Sequence, residues 1–268
     1  MIQVVICGLA GRMGGRIAHL TLEAEGLDLA GGVEYAGSPD IGRDIGEVIG
    51  VPHQGVHLVG NLDRVVENAD VVVAFTAPPE GTVEAAKIAG AAGKPMVIGT
   101  TGLSAQQLET MTAALADVAC VFAPNFSVGV TVLTRLVEEA ARILGNEYDV
   151  EVVEAHHRFK TDAPSGTALA LARSAAAGLE RDLDTVGVYG RHGATGARTQ
   201  EEIGVHAVRA GDIVGEHTVM FGGIGESVQL VHRAQSRDTF AVGVIRAIPF
   251  AADADPGMYD MRDVLGIA

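Results

Sequence analysis

Residues 2–7, IQVVIC, form a nearly unbroken apolar run of strand length with Gly8 directly behind it. A run without polar alternation predicts a strand covered on both faces, as in a parallel sheet. GLAGRMG follows at 8–14, then a segment to about residue 25 with Ile17, Leu20 and Ala24 at helical spacing. This is strand, glycine turn, helix. A second strand fits 27–33, a short helix 63–68 and another buried strand 71–75. An Ala-rich helix fits 82–92, a strand 95–98, and a last strand of this alternation 118–123. Gly99-Thr100-Thr101-Gly102 leads into a helix that Ser104 can cap. Strands alternating with helices in this way predict βαβ units and a doubly wound parallel sheet.

The period then changes. Residues 128–144 read as a long amphipathic helix with Val132, Leu136 and Ile143 near one face, followed by a strand at 148–155. Residues 166–179 form a helix with Leu169, Ala172 and Ala176 at helical spacing, and 187–202 is loop-like. From 203 to 234 partly alternating strands are broken at Ala210-Gly211-Asp212 and Gly222-Gly223. Turns of that length predict antiparallel neighbours. Residues 239–250 return to a helix, with Val242, Ile245 and Ile248 apolar. The pattern predicts an α/β chain, a parallel nucleotide-binding domain followed by an α+β domain with an open sheet.

Composition narrows the picture. The 268 residues carry a net charge of −15, a field that disfavours nucleic acid and anionic membrane as partners. Cys7 and Cys120 each sit in an apolar run without a partner at metal or redox spacing, so no metal site is expected and a reducing cytoplasm suits them. No apolar stretch reaches the length of about 18 residues that suggests a membrane helix.

Two stretches carry chemistry. Gly8, Gly11 and Gly14 put a glycine turn between a strand and a helix start, where backbone N–H groups can approach phosphate. The spacing is one residue longer than the usual dinucleotide pattern. Glu34, about twenty residues on, is placed to accept from a ribose hydroxyl. A plain turn and a solvated acid would read the same way singly; together they predict a dinucleotide. A carboxylate beside a 2′-phosphate is repelled, and Tyr35 offers no offsetting charge, so NADH is expected to serve at least as well as NADPH. Arg12 is the one nearby cation.

The second stretch is EAHHRFKTDAPSGT at 154–167. His156, His157, Arg158 and Lys160 form a cationic island in an acidic chain, which suggests a small anionic ligand. Reduction of a conjugated double bond needs a proton donor, and a histidine close to bound carboxylates can supply one. Lys160 either donates that proton or stays charged and holds a carboxylate. Taken alone, His156 could equally be a strand-end surface residue. Ser165, Gly166 and Thr167 open a helix whose first-turn N–H groups can hold a second carboxylate, while Asp162 or Ser165 can cap it.

These motifs run nearly end to end in one family. GRMG at 11–14, GTTG at 99–102, NFSVGV at 125–130, EAHHRFKTDAPSGTA at 154–168, AGDIVGEHT at 210–218 and MRDVL at 261–265 resemble the dihydrodipicolinate reductase family. The resemblance implies a Rossmann-like domain at 1–126 and 240–268. It also implies a mixed-sheet substrate and oligomerisation domain at 127–239, forming homotetramers. The implied activity is NAD(P)H-dependent reduction of 4-hydroxy-tetrahydrodipicolinate, a small cyclic dicarboxylate, to tetrahydrodipicolinate in diaminopimelate and lysine biosynthesis. Carried over by position, Gly8, Gly11, Arg12, Met13 and Glu34 lie in the loop and ribose region. Phe75, Thr76, Gly99, Thr101, Ala123, Asn125 and Phe126 match segments lining the cofactor. His156 and Lys160 match the catalytic pair, and His157, Gly166 and Thr167 match substrate contacts. Tyr35 and Ala77 stand where relatives often carry Arg, which weakens any selectivity for NADPH.

Two rival readings remain on the same scaffold. An acylating aldehyde dehydrogenase needs an activated thiolate, which the apolar settings of Cys7 and Cys120 oppose. A dinucleotide sensor without turnover has no use for the histidine and lysine cluster.

Overall fold

The N-terminal run is a strand buried on both faces, with Val4, Val5 and Ile6 wholly inaccessible. It is the first element of a computed structural model that describes residues 1–267. Along the chain come β1 (Ile2–Cys7), α1 (Arg12–Glu23), β2 (Leu27–Val33), α2 (Ile45–Ile49), β3 (Val71–Ala74), α3 (Glu80–Ala91), β4 (Met96–Ile98), α4 (Ala105–Ala114) and β5 (Ala119–Phe122). They are followed by α5 (Val128–Leu144), β6 (Asp149–His156), α6 (Gly166–Gly178), α7 (Leu183–Val186), β7 (Gly187–Tyr189), β8 (Ile203–Arg209), β9 (Gly215–Gly222) and β10 (Ser227–Ala234). The chain closes with α8 (Asp238–Asp253), β11 (Gly257–Tyr259) and α9 (Met261–Leu265). Two compact units result, one of residues 1–127 with 240–267 and one of 128–239. Among the described residues no helix is long and apolar enough to cross a membrane.

The first unit is a Rossmann-like parallel sheet in the order β11-β5-β4-β3-β1-β2. Val72, Met96, Ile98 and Cys120 meet Ala85, Ala86 and Ala89 of α3 and Met111 of α4 in its core. Small residues let helix and sheet approach closely. Ser104 caps α4 through a reciprocal box with Gln107. The expected helix at 63–68 is instead two short 3-10 turns, Leu62–Arg64 and Val66–Asn68, the first begun by the Asn61 side chain. On α1 the buried positions are Gly14, Ile17, Ala18 and Thr21, and Ala24 lies past the helix end. The alternation does not stop at β5, because β11 pairs parallel to it as a sixth strand. Only three residues long, β11 has no apolar run to announce it.

The second unit is a mixed sheet in the order β10-β9-β6-β8-β7. Val150 and Val152 of β6 pack with Leu133, Val137 and Ala141 of α5 and with Leu171, Ala172 and Ala175 of α6. Three expectations change here. The stripe Val132, Leu136, Ile143 is the exposed side of α5, at 39, 50 and 67% exposure, while Val130, Leu133, Val137 and Ala141 are buried. Two apolar stripes occupy this helix, and contact with α6 and the sheet selects the one that also bears small Ala141. β9 and β10 are antiparallel neighbours as their short turn requires, but β8 and β9 are not neighbours. β6 lies between them, parallel to β8 and antiparallel to β9. The segment 187–202 is loop only after Tyr189, since β7 pairs parallel to β8.

Candidate active site

In the first unit the chain leaves β1 toward β2 on one side and has β3 on the other, so the sheet changes direction between β1 and β3. Ligands of open α/β sheets bind outside the carboxyl ends of the strands at this point. Cys7 ends β1 opposite Ala74 at the end of β3, and Phe75 N–H donates to Cys7 O at 3.1 Å. Gly8 follows with φ +83, and a Cβ there would strike the Phe75 carbonyl. A Cβ on Gly14 would strike the Gly8 carbonyl and come within 2.9 Å of Leu9 Cα. The turn therefore forms a bare backbone cradle. α1 opens behind Gly11 with no side-chain cap and no acidic residue in its first turn. Its first-turn N–H groups and dipole are disposed toward an anion. Glu34 accepts from Ala10 N–H and Tyr35 N–H, each at 3.2 Å.

Gly8, Gly11, Arg12, Met13, Glu34, Phe75, Thr76, Gly99 and Thr101 line one cleft of about 360 Å³. Nine of the residues read from the sequence thus converge. Thr100, also in the lining, is a further participant: its Oγ1 accepts from Thr76 N–H at 3.0 Å and bonds the Thr82 hydroxyl at 2.6 Å. Ala123, Asn125 and Phe126 do not line this cleft. Phe126 is 2% exposed, with its ring 5.6 Å from that of Phe75, so it supports the wall from behind. An adjoining slot of about 250 Å³ runs past Val33, Glu34, Tyr35, Leu62, Ala85 and Ile88, and its lining holds no Lys or Arg. A bare-backbone cradle, a strand-end carboxylate and an apolar slot fit a dinucleotide.

In the second unit, β6 alternates so that Val150, Val152, Glu154 and His156 share the covered face. Glu154 is wholly buried, and each of its oxygens has two partners. Oε1 accepts from Arg209 Nη2 at 2.9 Å and Ser165 N–H at 3.0 Å, and Oε2 from Arg209 Nη1 at 2.8 Å. His156 Nδ1 lies 2.6 Å from the same Oε2. Burial pushes the Glu154 carboxyl up, but the Arg209 guanidinium, then His156 and the Ser165 N–H, outweigh it and hold it below the usual range. Arg209 reaches this place because β8 sets it opposite His156. Its Nη2 also donates to Asp162 O at 2.6 Å, fixing the loop after β6.

His217 comes in from β9 opposite Glu154, its ring 5.2 Å from that of His156. It is 4% exposed and bonds Ser165 Oγ through Nε2 at 3.2 Å. Burial pushes its pKa down to about 4, helped by neighbouring His156 and His232, so it is neutral at physiological pH. Ser165 caps α6, its Oγ accepting from Ala168 N–H at 3.1 Å. Both of its polar groups are thus engaged within the fold. Gly166 beside it is open, with nothing within 4 Å of the place a Cβ would occupy. Thr167 and His157 are half-buried, and Arg158 is exposed. Lys160 Nζ sits 2.9 Å from Asp162 Oδ1, and that ammonium holds the Asp162 carboxyl below its usual range. Phe159 is 80% exposed, its ring 6.3 Å from His157.

The cationic island is therefore partly neutralised from inside its own stretch, by Glu154 and Asp162. Sequence reasoning passed over Glu154, Arg209, His217 and His232 as site residues. Glu154 and His156, two apart on a strand, carry a period-2 signal that places them on one face. Arg209, His217 and His232 become neighbours only through strand register, and of the three only His217 lies within a motif, AGDIVGEHT at 210–218.

Comparison with known proteins covers both units. The family model "Dihydrodipicolinate reductase, N-terminus" matches residues 2–126, and "Dihydrodipicolinate reductase, C-terminus" matches 129–265. A protein of Syntrophobacter fumaroxidans named 4-hydroxy-tetrahydrodipicolinate reductase is 49% identical over 267 residues, covering 100% of both chains. One of the same name from Syntrophus aciditrophicus is 46% identical over 99% of each chain. Among solved structures, the dipicolinate-bound dihydrodipicolinate reductase from Paenisporosarcina sp. TG-14 superposes with a TM-score of 0.77 at 27% identity, over 97% of each chain.

Proposed function

The chain belongs to the dihydrodipicolinate reductase family and catalyses NAD(P)H-dependent reduction of 4-hydroxy-tetrahydrodipicolinate to tetrahydrodipicolinate, and on that premise we propose which of its residues do so. In the first unit, Gly8, Gly11, Arg12 and Met13 hold the pyrophosphate, Glu34 takes the ribose hydroxyls, and Phe75, Thr76, Gly99 and Thr101 flank the nicotinamide half. Ala123, Asn125 and Phe126 complete that region from the end of β5. Bound there, the nicotinamide supplies hydride. The carboxylate of Glu34, and the absence of Lys and Arg from the slot beside it, favour NADH at least as much as NADPH.

In the second unit, His156 and Lys160 form the catalytic pair, and His157, Ser165, Gly166 and Thr167 receive the substrate. The observation that carries this reading is the shared Glu154 carboxylate, which takes partners from both His156 and the Ser165 N–H and so sets the imidazole beside the start of α6. One substrate carboxylate is held by the first-turn N–H groups of α6, with Gly166 permitting close approach, and the other by Lys160. The dipicolinate-bound structure of the Paenisporosarcina reductase supports a dicarboxylate in such a site. His156 gives a proton to the atom adjoining the carbon that is reduced.

The chain is further proposed to form a homotetramer through the sheet face opposite α5 and α6, where Val153, Val208 and Val231 are 36, 45 and 43% exposed. A cytoplasmic location accords with the free Cys7 and Cys120 thiols. One coupled assay tests the central reading. The condensation product of pyruvate and aspartate semialdehyde is supplied, and NADH and NADPH oxidation are followed separately. Oxidation dependent on that product is expected, and its absence with both nucleotides would overturn the assignment.

A further inference from the structure

We propose that Glu154, clamped by Arg209, is a positioning residue for the reduction: it takes the Nδ1–H of His156, so that Nε2 is the nitrogen that gives up the proton, and fixes the start of α6 in the same frame. The inference rests on the reading of His156 as proton donor and goes beyond it by assigning the ring's tautomer and the group that sets it.

A carboxylate accepts about four hydrogen bonds, and Glu154 has four partners: two guanidinium nitrogens, one backbone N–H and His156 Nδ1. None of its capacity is left for substrate. A buried ion pair is a weak device for stability, because desolvation offsets much of the attraction. The same pair is effective at orientation. Both Arg209–Glu154 bonds are fixed by a planar fork, and two different strands hold the fork and the carboxylate. Nδ1 at 2.6 Å from a carboxylate that stays ionised must carry a proton, whichever state the rest of the ring is in.

The other nitrogen lies beside Gly215. A Cβ added to Gly215 of β9 would sit 3.1 Å from His156 Nε2, so the strand places no side chain against that atom. The ionisable groups around the ring are Glu154 on its own strand, Arg209 on β8, His217 on β9 and His232 beyond it on β10. Lys160 and Asp162 lie in the loop that follows. His217, kept neutral by burial, adds no charge to compete with the imidazolium. In the proton step the Nε2–H bond breaks, its electron pair stays on Nε2, and the proton forms a bond to the substrate. The neutral imidazole left behind keeps Nδ1–H on Glu154, and solvent restores Nε2–H.

The test compares wild type, Glu154→Gln, Glu154→Asp and His156→Gln in kcat across pH, alongside ¹⁵N-histidine NMR of the wild-type protein at high pH. Glu154→Gln is expected to lower kcat by about 10²-fold, since a Gln amide facing Nδ1 reverses the tautomer. The limb along which kcat declines with rising pH is expected to move in Glu154→Gln, which offers His156 Nδ1 no carboxylate. Glu154→Asp keeps that limb in place. NMR is expected to show the neutral His156 ring protonated on Nδ1, and a ring protonated on Nε2 would overturn the proposal even if the Gln variant fails to fold. An unmoved limb in a folded Glu154→Gln enzyme would overturn it as well. If His156→Gln leaves kcat near normal, the proton-donor reading itself fails; a large loss there beside an unaffected Glu154→Gln enzyme rejects the positioning role alone.

Discussion

Lys160 is not a free cation: its Nζ lies 2.9 Å from Asp162 Oδ1, in the loop that Arg209 anchors through Asp162 O. The pair is partly exposed on the Asp162 side, so its attraction is modest and a substrate carboxylate can compete for the ammonium. Lys160→Ala and His156→Gln are each expected to lower kcat by about 10²-fold or more while leaving the Kd for NADH nearly unchanged. Asp162→Asn, which releases Lys160 without removing it, is expected to cost much less than Lys160→Ala. Steady-state kinetics with dinucleotide titrations on the three variants check this.

Glu34 lines both the first unit's cleft and the adjoining slot, with Tyr35 next to it and no Arg in that slot. At about 4 Å and an effective dielectric near 20, a carboxylate and one phosphate charge repel by roughly 4 kcal/mol. kcat/KM with NADPH is accordingly expected not to exceed that with NADH by tenfold. Glu34→Gln is expected to raise the NADPH to NADH ratio by about tenfold or more. A ratio unmoved by this change would remove Glu34 from cofactor selection.

The folded value of His217, about 4, lies below its ordinary 6.5, so the unfolded chain binds the additional proton. Its contribution is complete above pH 6.5 and declines as pH falls toward 4. Between pH 6.5 and 5 this one residue is expected to withdraw roughly 2 kcal/mol. His232, also lowered by burial, adds in the same direction. Urea titrations of wild type and His217→Gln over that window are expected to show a shallower pH slope in the variant.

Cys7 and Cys120 are buried, and burial pushes both thiols up to about 12. Thiolate is the reactive form, so neither is expected to react with a disulfide reagent at pH 8 until the protein unfolds. Prompt modification of the native protein with loss of activity would revive a thiol-dependent mechanism.

Much of the nucleotide half was legible because its signals are local. β1 and β2 fall where their apolar runs end, Gly8 and Gly14 are needed for close backbone approach, and Ser104 caps α4 as its position suggests. Phe126 shows the limit there, since its place in a motif did not reveal that its side chain is buried behind Phe75. The substrate half was legible in its cationic loop and opaque in its support. His156 and Lys160 are four positions apart in one motif, but Arg209 meets Glu154 fifty-five positions away through strand pairing. On α5 two apolar stripes compete, and only the packing partners decide that Leu133 and Val137 go inside rather than Val132 and Leu136. Short β7 and β11 pair through backbone groups that any sequence possesses.

The parallel pairing of β11 with β5 bears on how the polypeptide is made. The ribosome delivers β1 to β5 early, then all of residues 128–239, and only afterwards the three residues that pair Gly257, Met258 and Tyr259 with Ala119, Cys120 and Val121. During that interval β5 is a bare margin of unpaired N–H and C=O groups, the kind of template on which nascent chains aggregate. A product released before residue 257 keeps that margin open for its lifetime. Delivery of residues 257–259 and closure of that margin are thereby the same event, so a chain cut short before them presents β5 as an open edge.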